Sequence, residues 1–108
     1  YVSLYPNLMI GIHVDHFYAF WLEPISNNET KEHFELYYVG EESASSEEYK
    51  ELRRKNFEFW KDVMNEDVIA IEGMQKGRSS PVYNGGNFSP IMDTPTLIFH
   101  KWVATNIV

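Results

Sequence analysis

The chain contains no cysteine. That excludes disulfides, thiolate nucleophiles and any cysteine-held zinc or iron–sulfur centre within these residues. Basic residues are also scarce: nine Lys and Arg stand against sixteen Asp and Glu, a net charge of −7. This balance argues against a phosphate-backbone partner, because nucleic-acid binders concentrate positive charge on one face. Most of the cations fall between Lys50 and Lys61, interleaved with Glu, as on a solvated helix face. No run is long or apolar enough to cross a membrane and the start is not a signal peptide, so a cytoplasmic location is expected. A glycine-rich phosphate loop is missing, since Gly85–Gly86 follows no strand. The serines lie in loops and helix starts, without a nucleophile elbow.

What the chain does have is apolar and aromatic surface. Its 108 residues are 44% hydrophobic and 16% aromatic, enough for one domain that folds. Ring surface in that amount lines a pocket as well as filling a core. The first residues, "YVSLYPNLMIGI", lack an initiator Met, and the chain is expected to be a piece of a longer protein.

Periodicity predicts three strands. Leu8, Ile10, Ile12 and Val14 alternate with Met9, Gly11 and His13, giving a strand with one strongly apolar face. Asp15–His16 fits a tight turn, and Phe17 to Leu22 an aromatic strand ending before Pro24. After the turn residues Ser26 to Glu29, Thr30 to Val39 alternates again, as the third strand of an antiparallel meander. Ser45 and Glu48 have capping-box spacing, opening a long helix from about Ser46 towards Lys76, with Gly77 as its stop and a bend at Asn65–Glu66 or Gly73. A loop over Arg78 to Pro90 leads to Thr94–Pro95, which opens a short helix through Trp102. The class is α+β.

Two places invite a functional reading. "GIHVDHFYAF" holds His13, Asp15 and His16 within four residues, and two histidines with a carboxylate are the donor set of mononuclear iron. In a continuing strand, however, His13 and Asp15 share a face while His16 points away. With Asp15–His16 as the turn, all three lie near an exposed hairpin tip. Ordinary polar residues at a strand end are the expectation, and likewise an exposed His33 and a structural or exposed His100. The second place is the long helix, where Trp60, Val63, Met64, Ile71 and Met74 fall on one stripe at about 100° per residue. Asp67 lies in the middle of that stripe. A carboxylate buried there must be protonated, paired with a cation or bound to a metal, unless the helix turns it outward.

At these residues the sequence resembles a known family. "FWKDVMNEDVIAIEGMQKGRSS" is similar to the late segment of the catalytic domain in the large (alpha) subunit of Rieske-type ring-hydroxylating oxygenases, through Trp60, Glu66–Asp67, Glu72, Gln75 and Gly77. "YPNLMIGIHVDHFYAFWLEPIS" resembles the preceding strands and "NFSPIMDTPTLIFHKWVA" the closing loop and helix, so the likeness covers nearly the whole chain.

The resemblance implies the C-terminal part, residues 1–108, of a helix-grip (START-like) catalytic domain. It implies that Asp67 is the carboxylate ligand of a mononuclear Fe(II). Glu66 beside it is a candidate supporting carboxylate, the alternative being a solvated helix residue. The two histidine ligands belong upstream of Tyr1, and the [2Fe–2S] Rieske cluster belongs to a separate N-terminal domain. Tyr18, Phe20, Trp60, Val63, Met64 and Ile71 are the candidate substrate-pocket residues, with plain core the alternative for the strand residues. Which sheet face turns inward, that of Tyr18, Phe20 and Leu22 or that of Phe17, Ala19 and Trp21, stays open.

The implied whole is a homotrimeric oxygenase completed by the rest of the alpha subunit and fed by a ferredoxin or reductase. It would hydroxylate or oxidatively demethylate a small aromatic or amine substrate, and the fragment alone would be inactive. The acidic balance and many rings would suit a cationic amine. Two other classes use the same elements: a small helix-grip module that binds an apolar ligand without chemistry, and an interaction domain whose aromatic strands pair with a partner.

Overall fold

The computed structural model describes residues 1–107. They divide into two compact units, residues 1–65 and the residues from Glu66 on, and one long helix contributes to both.

The first unit is built on a sheet of four antiparallel strands in chain order, not three. These are β1 (Val2–Leu4), β2 (Leu8–Ile12), β3 (His16–Ser26) and β4 (Glu29–Tyr38). The additional strand, β1, is three residues long and pairs Val2 with Ile10 and Leu4 with Leu8. A piece so short gives no alternation to detect.

The β2–β3 turn falls one residue earlier than expected. Ile12 pairs with Phe17, and the His13 N–H donates to the His16 carbonyl at 2.9 Å, so Val14–Asp15 is the two-residue hairpin loop. Strand β3 runs on through Pro24, which the sequence reading placed beyond the strand. The Leu22 N–H bonds the Asn7 carbonyl, beyond the start of β2. The nitrogen of Pro24, two residues on, faces the same side, where no strand remains to be paired. Its pairing with β4 through Thr30 is kept, and an irregularity follows between Pro24 and Ser26.

Ser45 does not cap the long helix. It ends a short helix, α1 (Glu41–Ser45), with its Oγ donating back to the Glu41 carbonyl at 2.7 Å. The Arg53 guanidinium donates to the Ser43 and Ser46 carbonyls at 2.9 Å each, satisfying acceptors at the C-terminal end of α1 that have no helical partner. Helix α2 then starts at Lys50 and runs unbroken to Arg78. Neither Gly73 nor Gly77 interrupts it, since one glycine costs a helix only about 1 kcal/mol.

The core of this unit is Tyr18, Phe20 and Trp60, with Leu22, Phe34, Leu36, Val63 and Met64 packed around them. The inward face of β3 is therefore the Tyr18, Phe20, Leu22 set. The pairing of Gly11 with Tyr18 puts Gly11 on the same face, and Gly11 is buried beneath the Tyr18 ring. It follows that the apolar face of β2 is the outer one. Ile12 on that face is 68% exposed, and Phe17 and Tyr37 stack beside it with ring centroids 4.7 Å apart.

In the second unit, α3 (Thr94–Asn106) follows a loop that ends in a turn. Asp93 rather than Thr94 is the N-cap residue, and its Oδ2 accepts the Ser89 N–H at 2.6 Å. Pro95 lies in the first turn, as expected, but the helix continues past Trp102 to Asn106.

Candidate functional site

The β2–β3 hairpin end is the most organised polar cluster of the first unit. With Val14–Asp15 as the loop, His13 and His16 are cross-strand neighbours and project on one face. Their rings stack with centroids 4.6 Å apart and planes 5° from parallel. His16 is buried, not at an exposed tip, and its Nε2 accepts the indole Nε1–H of Trp60 at 3.2 Å. Since an indole N–H only donates, His16 Nε2 carries no proton, and the ring's proton is on Nδ1. Nδ1 lies 2.7 Å from the Oδ1 of Asp15, whose side chain is 82% exposed. The hydrogen bond from His16 holds the Asp15 carboxyl below its usual range.

The cluster corrects the expectation of three ordinary polar residues at a strand end. Alternation alone sent His16 away from His13, whereas a turn between them brings both to the Trp60 side. The cluster is nevertheless not an iron triad, because the lone pair of His16 Nε2 is committed to Trp60. His13 Nε2 is buried without a hydrogen-bond partner, and the His13 ring meets Trp60 edge-on at 5.3 Å. Nothing in the sequence marked Trp60 as the partner of this pair.

The candidate pocket residues divide. Tyr18, Phe20 and Trp60 are the buried centre of the core, and Val63 and Met64 pack against them. Burial raises the Tyr18 hydroxyl above its ordinary range. Ile71 is 54% exposed. A cavity of about 540 Å³ lies elsewhere in this unit, open along β4 and lined by Phe34, Leu36, Tyr38, Arg53 and Phe57 among others.

Asp67 is exposed on α2, and so is Glu66. Ile71 and Met74, which share its predicted stripe, are more than half exposed. The expected burial of this stripe is thus met at Trp60, Val63 and Met64 but not from Asp67 onward. Among the described residues Asp67 makes no ion pair. Among them, too, no three or more His, Cys, Asp or Glu side chains are grouped to hold a metal ion. An iron site does not fit this chain alone: Asp67 offers one donor, and a mononuclear iron needs at least two more.

The remaining histidines have local partners. His33 is half-buried rather than exposed, stacked on Trp21 at 4.7 Å and hydrogen-bonded to Glu23 Oε2 at 2.7 Å. That bond lowers the Glu23 carboxyl from its ordinary range. His100 is exposed and meets the Phe88 ring edge-on at 5.2 Å. Among the described residues no helix is long and apolar enough to cross a membrane.

An antiparallel sheet followed by a long helix and a closing helix defines an α+β chain, and among the described residues four carboxylates of the long helix, Asp62, Glu66, Asp67 and Glu72, make no ion pair. The family model described as ring hydroxylating alpha subunit (catalytic domain) matches residues 1–107, and the chain belongs to that family of oxygenases. No curated protein sequence and no solved structure matches it significantly.

Proposed function

We propose that this chain supplies the carboxylate arm, Asp67, of a mononuclear iron centre in a ring-hydroxylating oxygenase. What supports this reading is the family match over residues 1–107 together with the place of Asp67 on α2, where the resemblance puts the carboxylate ligand. Its lack of an ion pair among the described residues is compatible with that role but is shared with Asp62, Glu66 and Glu72. A carboxylate held by a cation would have argued for a structural ion pair instead. The remaining donors, two histidines, come from residues outside this chain, and so does the [2Fe–2S] Rieske cluster. When complete, the centre activates O2 for hydroxylation or oxidative demethylation of a small aromatic or amine substrate.

The contribution of these residues is to present one anionic oxygen on a long helix. The aromatic core of the sheet holds the first part of that helix through Trp60, Val63 and Met64. The whole works with the rest of its alpha subunit, as a trimer, and with a ferredoxin or reductase donor. The 108-residue chain by itself neither holds iron tightly nor turns over.

Asp67→Ala in the intact oxygenase is expected to lose iron, by metal analysis, together with turnover. Full iron occupancy and full turnover in that variant overturn the assignment. Tight stoichiometric iron binding by the isolated chain overturns the statement that the other donors lie outside it.

A further inference from the structure

The hydrogen-bonded line Trp60–His16–Asp15 has the parts of a site that oxidises an indole and keeps its proton. The Trp60 side chain is in the core, its Nε1–H directed 3.2 Å to the unprotonated Nε2 of His16, whose lone pair accepts it. On the far side of that imidazole, 2.7 Å away, stands an exposed carboxylate. A core residue needs its N–H satisfied, and a backbone carbonyl or a hydroxyl would do so. An imidazole differs from both in being a base of useful strength. The carboxylate behind it stabilises the imidazolium that proton transfer would form.

We propose that Trp60 is a reversible one-electron donor whose indole proton is taken by His16. In the forward step a strong one-electron oxidant accepts one electron from the indole. The Nε1–H bond of Trp60 breaks and an N–H bond forms at His16 Nε2. The products are a neutral indolyl radical, a His16 imidazolium paired with Asp15, and the reduced oxidant. In the return step a one-electron reductant from solution restores the indole, and the proton goes back from His16. The Tyr18 ring, 4.7 Å from Trp60, and the exposed Tyr1 ring, 6.5 Å beyond it, give the electron a contiguous aromatic route to the surface.

In the intact protein the oxidant would be an oxygen-derived one-electron oxidant left over when no substrate is hydroxylated; Trp60 would supply it one electron per event and be re-reduced before the next. That use rests on the oxygenase reading above, whereas the redox chemistry of Trp60 does not. The two therefore fail separately.

The test uses the 108-residue chain without metal, with Trp21 and Trp102 replaced by Phe so that Trp60 is the remaining indole. Flash-generated tris(bipyridyl)ruthenium(III) is the oxidant, and optical and electron paramagnetic resonance spectra distinguish the neutral indolyl radical from its protonated cation. The neutral radical is expected as the first resolved species, with a slower appearance in D2O. His16→Gln keeps an acceptor for the indole N–H but no base, and is expected to slow neutral-radical formation about a hundredfold, a typical lower value for losing a positioned base.

Asp15→Asn alters an exposed residue whose contribution to stability is small and is expected to slow it about tenfold, so the test survives if the His16 variant does not fold. Cation radical alone in the parent chain overturns the proposal. So does a neutral radical formed at parent rates in both variants.

Discussion

The Tyr18 ring lies directly over Gly11, its cross-strand partner, so that a Cβ built on Gly11 would sit 2.3 Å from Tyr18 Cε1 and Cζ. The contact fixes where the ring can lie, and with it the edge that Tyr18 presents to Trp60 at 4.7 Å. Gly11→Ala must displace a core ring rather than the end of a flexible chain. Overpacking of this kind costs about 1–3 kcal/mol. Urea unfolding of the chain should show that loss as a lower midpoint with an unchanged slope, and an unchanged midpoint would contradict it.

Arg53 gives a second stability prediction. Its guanidinium bridges two carbonyls of the α1 segment while its backbone belongs to α2, so one side chain ties the two helices together. Hydrogen bonds involving a charged group contribute about 1.5–3 kcal/mol net of the water contacts they replace. Arg53→Ala should lower thermal stability, and Arg53→Lys should recover only part of it, because an ammonium lacks the planar fork that spans both acceptors. Equal melting temperatures for Arg53→Lys and the parent would show that the fork geometry is immaterial.

The acid response follows from two carboxylates. Asp15 and Glu23 are both lowered from their ordinary values, chiefly by hydrogen bonds from His16 and His33. A carboxyl whose folded pKa lies below its unfolded one stabilises the fold above the ordinary carboxylate range. That stabilisation is lost as pH falls through the depressed folded value. Stability should therefore decline on acidification below the ordinary carboxylate range. Asp15→Asn with Glu23→Gln should flatten the decline. Both carboxylates are exposed, Glu23 less so than Asp15, so solvent screening keeps the effect small. Parallel stability curves for parent and double variant over that range would rule the two residues out as its source.

How far the sequence foretold all this differs between the elements. The class, the meander order and the long helix were legible because periods of two and 3.6 residues persist over many residues there. The inward face of β3 was not. Both of its faces are aromatic, and the choice depends on the helix that lies across it. At the hairpin, a shift of the turn by one residue decided everything. With Asp15–His16 as the loop, His13 and His16 part company; with Val14–Asp15 they stack and meet Trp60. Single residues with two compatible turns carry no signal for that choice.

The wheel on α2 was correct for Trp60, Val63 and Met64, because the sheet that covers them is present. It failed at Asp67, where apolar spacing continues but no burial follows.

That failure makes the last prediction. A buried carboxylate with a partner is costly to remove, whereas an exposed one without a partner is not. Asp67 is exposed and, among the described residues, in no ion pair. In the 108-residue chain, Asp67→Ala should change unfolding stability by less than about 0.5 kcal/mol, as expected of a surface substitution. The neutral result gives the variant its value. Loss of iron and turnover in the intact oxygenase could not then be assigned to a weakened fold, and a ligand role would be separated from a structural one. A destabilisation of about 2 kcal/mol or more would instead identify Asp67 as a packing or pairing residue, at the scale set by loss of a buried polar partner.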